Sequence, residues 1–338
     1  MKGGSNRRGL APARAVRLSL ACVFLFAATT ALLAQEPPQQ EPAKQAPPLR
    51  VKVERVNVGA TVTNASQKLV AGLRREDFEL LDNGTPQPLT AFFSIDDPAQ
   101  VVLMIECGPS VYFFRKDLVR AADKLLTRLA PSDRVAIVCY TRTPELRLDF
   151  TTDKDDARAA LQQLNFVQGF ADLNLSASLF TTLDSLKNLP GKKTIVLVTT
   201  GVDTSPPADE ETARQKLNAS DVRVIAVSTA SQVLETPKKM KSTKQQKNSR
   251  SQVKQVLEEA GAELRQISEL TGGRVYTPKS SDDFDKAYAK IAELVRHEYN
   301  LEFAPPAHDG AIHAIEVRVK GKAYRVDHRQ AYLAPSPD

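Results

Sequence analysis

The hydrophobic positions from residue 99 onward alternate between short apolar runs and longer segments with apolar residues three or four positions apart. The run Val101–Ile105 is continuously apolar, which is typical of a central parallel strand covered on both faces. We predict strands at 101–105, 134–140, 146–150, 194–198, 222–227 and 274–276, and helices at 111–129, 155–164, 175–189, 209–217, 253–270 and 281–295. This alternation predicts an α/β fold over residues 98–298, with a doubly wound, mostly parallel sheet flanked by helices.

A small β-rich unit is predicted before this domain, over residues 51–97. Apolar and polar residues alternate from Val56 to Val62, and Val51 and Val53 are out of phase with them, which predicts a bulge near Glu54. The segments 78–82 and 89–93, with the turn Asn83-Gly84 between them, predict a hairpin.

A second β element is predicted after the domain, within a C-terminal β extension at residues 299–338. Apolar residues alternate with polar ones at 315–319 and again at 324–326, and Lys320-Gly321-Lys322 forms a turn between them. The pattern predicts a terminal β-hairpin.

Residues 1–34 have the three-part layout of a secretory signal peptide. Basic residues lead into an uncharged apolar stretch at 18–33, and Ala34 offers a cleavage point. The stretch approaches the length of a bilayer span, so retention as an uncleaved anchor is the alternative. Residues 35–50 are rich in Pro and Gln and predict an extended linker. We expect an exported protein, periplasmic or secreted, or membrane-anchored if the leader is not cleaved.

Charge and composition argue against a nucleic-acid partner. The net charge is +6, and the leader contributes five of these charges, so the remainder of the chain is close to neutral. The polar segment 236–251 holds six basic residues and no acidic one, and predicts a solvated flexible loop. Contact of that segment with an acidic partner or lipid headgroups is the alternative.

Motifs for catalysis are absent from the sequence. There is no G-x-S-x-G elbow for a hydrolase serine and no G-x-G-x-x-G phosphate-binding loop. The four histidines lie beyond residue 296 without zinc-ligand spacing. We therefore predict that the protein is not an enzyme.

Two cysteines remain outside the leader. Cys107 and Cys139 lie near the carboxyl ends of two strands that we expect to be neighbours in the sheet. An even number of cysteines in an oxidising compartment permits a disulfide, and buried free thiols are the alternative.

The loop after the first strand, Ile105-Glu-Cys-Gly-Pro-Ser110, resembles the start of the metal site of the von Willebrand factor A (VWFA) domain. The resemblance implies a Rossmann-type VWFA-like fold over roughly residues 99–298. The segments REDFELLDNGTPQPLTAFF and YNLEF…HAIEVRVKGKAYRV are similar to those of the VWFA-related family described from Acidobacteria, whose members are predicted to be exported.

In VWFA domains a D-x-S-x-S motif, a Thr and a later Asp hold a divalent cation in the metal-ion-dependent adhesion site. The resemblance places Glu106, Gly108 and Ser110 at the positions of the first motif. It places the Thr position at Leu173, beside Asp172, and the later Asp position at Thr200, followed by Asp203. The resemblance thus implies a degenerate site, in which only Glu106, Ser110, Asp172 and Asp203 could bind a metal.

These observations leave two functions open. The first is a non-enzymatic protein-protein interaction or adhesion module that needs no cofactor. Glu106 would then pair with a Lys or Arg or be solvated, and Ser110 would cap the following helix. The second is a ligand-binding protein that depends on Mg²⁺ or Ca²⁺ at a rearranged site. Both imply a protein partner and no nucleic acid, with membrane contact only through an uncleaved leader.

Overall fold

The computed structural model describes residues 55–205, 209–235, 244–321 and 324–337. The predicted leader and linker, the bulge near Glu54 and residues 236–243 of the basic segment lie outside the described residues. In the described part of the chain, no helix combines the length and the apolar character needed to cross a membrane.

The elements follow the alternation that the sequence predicts. The strands are β1 (Val56–Thr63), β2 (Phe78–Asp82), β3 (Thr85–Gln87), β4 (Leu89–Phe93), β5 (Ala99–Glu106), β6 (Arg134–Tyr140), β7 (Pro144–Thr151), β8 (Lys192–Thr199), β9 (Arg223–Ser228), β10 (Val275–Tyr276), β11 (Glu298–Phe303), β12 (Ile312–Val319), β13 (Arg325–His328) and β14 (Ala331–Leu333). The helices are α1 (Pro109–Tyr112), α2 (Arg115–Leu126), α3 (Lys154–Gln162), α4 (Leu175–Leu186), α5 (Glu210–Ala219), α6 (Ala230–Glu235), α7 (Lys244–Leu270) and α8 (Ser281–Arg296).

A six-stranded sheet with the order β10-β9-β8-β5-β6-β7 forms the centre of the fold. All neighbours pair in parallel except β7, which lies antiparallel at the edge beside β6. Strand β5 lies between β8 and β6, and Leu103, Met104 and Ile105 are fully buried. A strand covered on both faces must be apolar at every position, which explains its continuous apolar run.

Helices cover both faces of this sheet. On one face α2, α3 and α8 pack through residues such as Leu118, Leu161 and Tyr288. On the other face α4, α5 and α7 pack through residues such as Leu179 and Leu264. The doubly wound α/β prediction is therefore confirmed.

The β segments before and after this domain form two four-stranded sheets around one core. Their orders are β13-β1-β11-β4 and β14-β12-β2-β3. The core between them contains the rings of Phe78, Phe92 and Tyr299, with centroids 5.1–6.0 Å apart. Each sheet contains strands from both chain segments, so neither segment buries its apolar face alone.

The sheet that contains β1 and β11, together with the loop after β4, contacts the amino ends of the central strands. Lys192, the first residue of β8, donates to the carbonyl oxygens of Ser94 and Ile95 at 3.3 and 3.2 Å. Arg223, the first residue of β9, lies 3.5 Å from the carboxylate of Glu298. The carboxyl ends of the central strands lie at the opposite edge of that sheet.

In both predicted hairpins, the second strand pairs with a strand other than the predicted one. The turn at Asn83 and Gly84 has positive φ at both residues and joins β2 to β3. Pro88 has no N–H to continue the ladder, and β4 pairs with β11 in the other sheet. In the tail, β12 pairs with β2 and β14, while β13 pairs with β1. The two strands thus cover one core from opposite sides and do not form a hairpin.

Two helix boundaries also differ from the prediction. The helix predicted over 111–129 is interrupted between α1 and α2, where Phe113 is exposed and Phe114 is buried. The end of the basic segment was predicted as a loop, but α7 begins at Lys244. Lys, Gln and Arg favour helices. The side chains from Arg250 to Val256 are exposed, so the first part of α7 has no buried apolar face that a sequence pattern could reveal.

Candidate functional site

Three neighbouring strands end with polar side chains at the same edge of the central sheet. Glu106 ends β5, Tyr140 ends β6 and Thr199 ends β8. Parallel pairing of β5 with both neighbours brings these residues together, although more than 90 of the chain's residues separate Glu106 from Thr199. In open α/β sheets this is the edge at which ligands bind. We call it the strand-end edge.

The carboxylate of Glu106 is fully buried and is hydrogen-bonded through one oxygen. Its Oε2 atom accepts bonds from the Thr199 hydroxyl at 2.9 Å and from the Thr200 N–H and hydroxyl at 2.7 and 2.8 Å. Oε1 has no hydrogen-bond partner among the described residues. Among the described residues, Glu106 therefore pairs with neither a Lys nor an Arg, and its burial keeps it from solvent, contrary to both expectations for it outside a metal site.

Burial has a measurable consequence for this carboxyl group. Desolvation raises the pKa of Glu106 above its ordinary value, and the bonds from Thr200 and Thr199 offset only part of the effect. The Tyr140 hydroxyl lies 2.7 Å from the Thr199 hydroxyl, which extends the network by one residue. Burial, followed by the nearby charge of Glu106, raises the pKa of Tyr140 as well. The network thus favours protonated groups at its centre.

Leu173 fills the space beside Gly108. A β-carbon built on Gly108 would lie 2.7 Å from Cδ2 of Leu173, closer than real carbon atoms approach. The same β-carbon would lie 3.5 Å from Oε1 of Glu106. A serine at position 108 would therefore collide with the leucine that occupies the predicted Thr position.

The other predicted metal ligands have separate surroundings. Ser110 is exposed within α1 and makes no helix-capping bond, because the residue that precedes that helix is Gly108. Asp172 is exposed. Asp203 accepts from the N–H of Ser176 in the first turn of α4, and from Ser205, both at 3.0 Å.

In the described part of the chain, these three residues do not form a ligand cluster around Glu106. Within the described ranges, no group of three or more His, Cys, Asp or Glu side chains is arranged to hold a metal ion. The strand-end edge is instead built from one carboxylate, two threonines and a tyrosine.

The two cysteines flank this network in the sequence. Cys107 follows Glu106, Cys139 precedes Tyr140, and their sulfur atoms are joined as a disulfide with Cα atoms 5.9 Å apart. Both residues are buried. The N–H of Cys107 donates to the carbonyl of Tyr140 at 2.8 Å, so the disulfide links strands that are also hydrogen-bonded to each other.

Sequence reasoning did not identify Thr199 and Tyr140 as partners of Glu106. Both lie at the end of apolar strand segments, and nothing in the local pattern distinguishes them from other strand-terminal residues. One signal in the sequence could have indicated a hydrogen-bond donor to Glu106: Thr200 occupies an Asp position of the resembled family. A threonine there can donate to a carboxylate, whereas an aspartate cannot.

Several solved structures are similar in fold at low sequence identity. A von Willebrand factor type A protein from Catenulispora acidiphila is 12% identical, with a TM-score of 0.43, over 86% of this chain and 76% of that one. An aerotolerance-related membrane protein from Bacteroides fragilis, with multiple mutations to serines, is 14% identical, with a TM-score of 0.42, over 58% and 98%. Proximal thread matrix protein 1 from the mussel byssus, with a zinc-occupied metal-ion-dependent adhesion site, is 14% identical, with a TM-score of 0.41, over 60% and 48%.

No curated protein matches the chain in sequence. The sequence model of the von Willebrand factor type A domain matches residues 102–288, which is more than half of the chain and extends from within β5 to the middle of α8. This range contains the whole strand-end edge. The chain belongs to the von Willebrand factor type A domain family.

Proposed function

We propose that the protein is an exported, non-enzymatic interaction or adhesion module that binds a protein partner without a metal ion. Von Willebrand factor type A domains are generally protein-interaction modules. The observation that carries the metal-free proposal is the hydrogen bonding of Glu106, whose Oε2 accepts three bonds from Thr199 and Thr200.

The residues at the strand-end edge do not fit the metal ion that this family often binds. Gly108 supplies no side-chain oxygen, and Leu173 places an apolar group against it. The Thr200 hydroxyl donates a hydrogen bond to Glu106 and so directs its hydrogen toward the carboxylate. Magnesium requires near-octahedral oxygen coordination, which this arrangement of donors and carbon atoms does not provide. We therefore infer that the site is degenerate and that partner binding does not require a cation.

One observation favours the alternative of a divalent-cation-dependent ligand-binding protein. Oε1 of Glu106 is buried without a hydrogen-bond partner among the described residues. A free carboxylate oxygen is a suitable ligand for Mg²⁺ or Ca²⁺. In this alternative, movement of the loops that carry Ser110, Asp172 and Asp203 would complete a rearranged site.

Calorimetric titration distinguishes the two functions. The purified protein is treated with a chelator and titrated with Mg²⁺, Mn²⁺ and Ca²⁺ while its melting temperature is followed, with the Glu106→Gln variant as the control. A ligand of the native state must raise the melting temperature. The metal-free proposal predicts neither saturable heat nor a shift. Saturable heat with a raised melting temperature, lost in Glu106→Gln, would instead establish the cation-dependent function.

Exposed aromatic residues near the strand-end edge support a protein partner. Phe113 is 76% exposed after α1, and Phe170 is fully exposed in the loop before α4. The two loops are joined, because the amide of Gln168 donates to the Tyr112 hydroxyl. Exposed aromatic side chains on adjacent loops are characteristic of interaction surfaces.

Substitution of these two residues tests the location of partner binding. We expect Phe113→Ser with Phe170→Ser to abolish retention of envelope proteins by the immobilised protein. Leu146→Ser is the matched control, because Leu146 is a similarly exposed residue on the edge strand β7. Equal retention by the double variant and the control would exclude these loops as the binding surface.

Export is supported by the signal-like residues 1–34 and by the disulfide between Cys107 and Cys139. Structural disulfides persist in oxidising compartments and are rare in the cytosol. Fusion of residues 1–50 to alkaline phosphatase, which is active only after export, tests this proposal in a bacterial host. Activity equal to that of a fusion lacking residues 18–33 would contradict it. The mass of the exported protein then shows whether the leader is cleaved.

A further inference from the structure

A groove between α2 and α3 combines positive charge with an apolar floor. It has a volume of about 470 Å³, within the usual range for ligand pockets of roughly 300–1,000 Å³. Its walls carry four cationic side chains and one carboxylate, and its floor is aliphatic and aromatic. The cations are Arg115, Lys116, Arg120 and Arg158, and the floor includes Leu161 and Phe166. We call this the α2–α3 groove.

The first turn of α2 supplies two positive charges, Arg115 and Lys116, to the groove. Arg115 donates to the carbonyl of Tyr112 at 2.6 Å, and its guanidinium lies 3.9 Å from the centre of the Tyr112 ring. Lys116 is exposed. In the described parts of the chain, neither residue forms an ion pair with a carboxylate.

The other two cations are already paired within the protein. Arg158 of α3 bonds the carboxylate of Asp123 on α2 at 2.6 Å and also pairs with Asp155. Arg120 lies 3.3 Å from the carboxylate of Asp117. The available positive charge of the groove is therefore concentrated at Arg115 and Lys116, at the positive end of the α2 dipole.

Apolar side chains lie between these charged groups. Val119 and Phe166 are half-buried, and Leu161 is buried. Two available cations on adjacent residues beside a short apolar floor do not match a fatty acid, which carries one charge and needs a long apolar channel. They match an extended segment in which acidic and aliphatic side chains alternate.

We propose that the α2–α3 groove binds an acidic peptide segment of a partner protein, with aliphatic side chains on the floor and carboxylates at Arg115 and Lys116. The groove is lined by helices and by the loop after α3, and not by Glu106 or the threonines of the strand-end edge. The proposal goes beyond the function proposed above and does not depend on whether that edge binds a metal.

Fluorescence anisotropy with labelled octapeptides tests this proposal on the full-length protein. The probe alternates glutamate and leucine, and two control peptides alternate lysine with leucine and glutamate with serine. We expect saturable binding of the glutamate–leucine peptide only, weakened when salt is raised from about 50 to about 500 mM. Failure of this peptide to bind, or equal binding of either control peptide, would overturn the proposal.

A charge-reversal variant locates the binding. We expect Arg115→Glu with Lys116→Glu to lower the affinity at least about tenfold, because both charge pairs become repulsive. Lys187→Glu with Lys290→Glu makes the same change in net charge at exposed residues outside the groove, and should bind the peptide much more strongly than the groove variant. Melting temperatures of both variants verify folding. Equal loss in the two variants, or binding of sodium laurate in competition with the peptide, would contradict the assignment.

Discussion

The N–H and the hydroxyl of Thr200 both donate to the same oxygen of Glu106, at 2.7 and 2.8 Å. Thr200 and Glu106 each occupy a position at which the resembled family has an aspartate. Two acidic residues that would share a cation are thus replaced by one acid and one donor. Oε2 of Glu106 is thus hydrogen-bonded within the protein, which is the physical basis of the metal-free function proposed above.

Thr200→Val should destabilise the fold by about 1–3 kcal/mol, because it removes a hydroxyl donor from a buried acidic group. Thr200→Ser keeps the hydroxyl and should cost less than about 1 kcal/mol. Urea unfolding of the two variants and the wild-type protein measures the difference. Equal costs for valine and serine would mean that the hydroxyl bond to Glu106 contributes nothing.

The stability contribution of Glu106 should decrease as the pH rises. Burial raises its pKa in the folded state above the ordinary 4.5, so folding favours the protonated form. This contribution is fully present below about pH 4.5 and is lost as the pH rises through the folded-state pKa, at up to about 1.4 kcal/mol per pH unit. The free energy of unfolding of the wild-type protein, relative to Glu106→Gln, should therefore fall as the pH rises above 4.5. A constant difference would show an unshifted carboxyl group.

The sequence predicts the central fold because burial alone determines its pattern. Val101–Ile105 must be apolar at each position, and α8 shows its buried residues at helical spacing. The sequence pattern also predicts the flanking strands but not their partners, since pairing between β1 and β11 joins residues more than 200 positions apart. Alternation specifies a strand and its buried face, and leaves open the strand beside it.

The candidate site could be located from the sequence but not interpreted. The resemblance to the family directs attention to Glu106, and the parallel pairing of β5 with β8 then determines its neighbours. The three-dimensional arrangement was needed to show that Thr199 bonds the carboxylate and that Asp203 bonds the first turn of α4. Both are long-range contacts that a strand or helix pattern does not encode.

Gly108 and Leu173 should be energetically coupled. Gly108→Ala places a β-carbon against Leu173 and should cost about 1–3 kcal/mol by overpacking. Leu173→Ala removes the obstructing atoms, so the double variant should cost less than the sum of the two single changes by about 1 kcal/mol. Gly108→Ala combined with Leu161→Ala, whose sites make no such contact, is the control and should be additive. Additivity in both cycles would show that Leu173 moves aside freely.

The disulfide should contribute strongly to stability. It closes a segment of 32 residues between Cys107 and Cys139, for which the loss of chain entropy in the unfolded state is worth about 3–4 kcal/mol. Replacing both cysteines with alanine should lower the free energy of unfolding by that amount. Adding a reductant during unfolding should destabilise the wild-type protein to a similar extent and leave the variant unchanged. A wild-type protein that is indifferent to reductant would show that the thiols are free.

Restoring the family's ligand types should create a cation site where we propose that the wild-type protein has none. The variant carries Glu106→Asp, Gly108→Ser, Leu173→Thr and Thr200→Asp, and it retains Ser110. Without metal it should be less stable than wild type, because Asp at positions 106 and 200 places two negative charges together in a buried site. Mg²⁺ at about 100 times its dissociation constant should then stabilise it by about 2.7 kcal/mol.

The matched control for this restored site carries the same changes with Glu106→Asn in place of Glu106→Asp, which keeps the size of the side chain and removes its charge. Thermal unfolding with and without Mg²⁺ measures both variants and the wild-type protein. Stabilisation of the restored variant alone would show that four side chains separate this edge from a cation-binding one. If Mg²⁺ stabilised the wild-type protein as much as the restored variant, the hydrogen bonds of Thr200 to Glu106 would not prevent metal binding. The metal-free function would then be wrong.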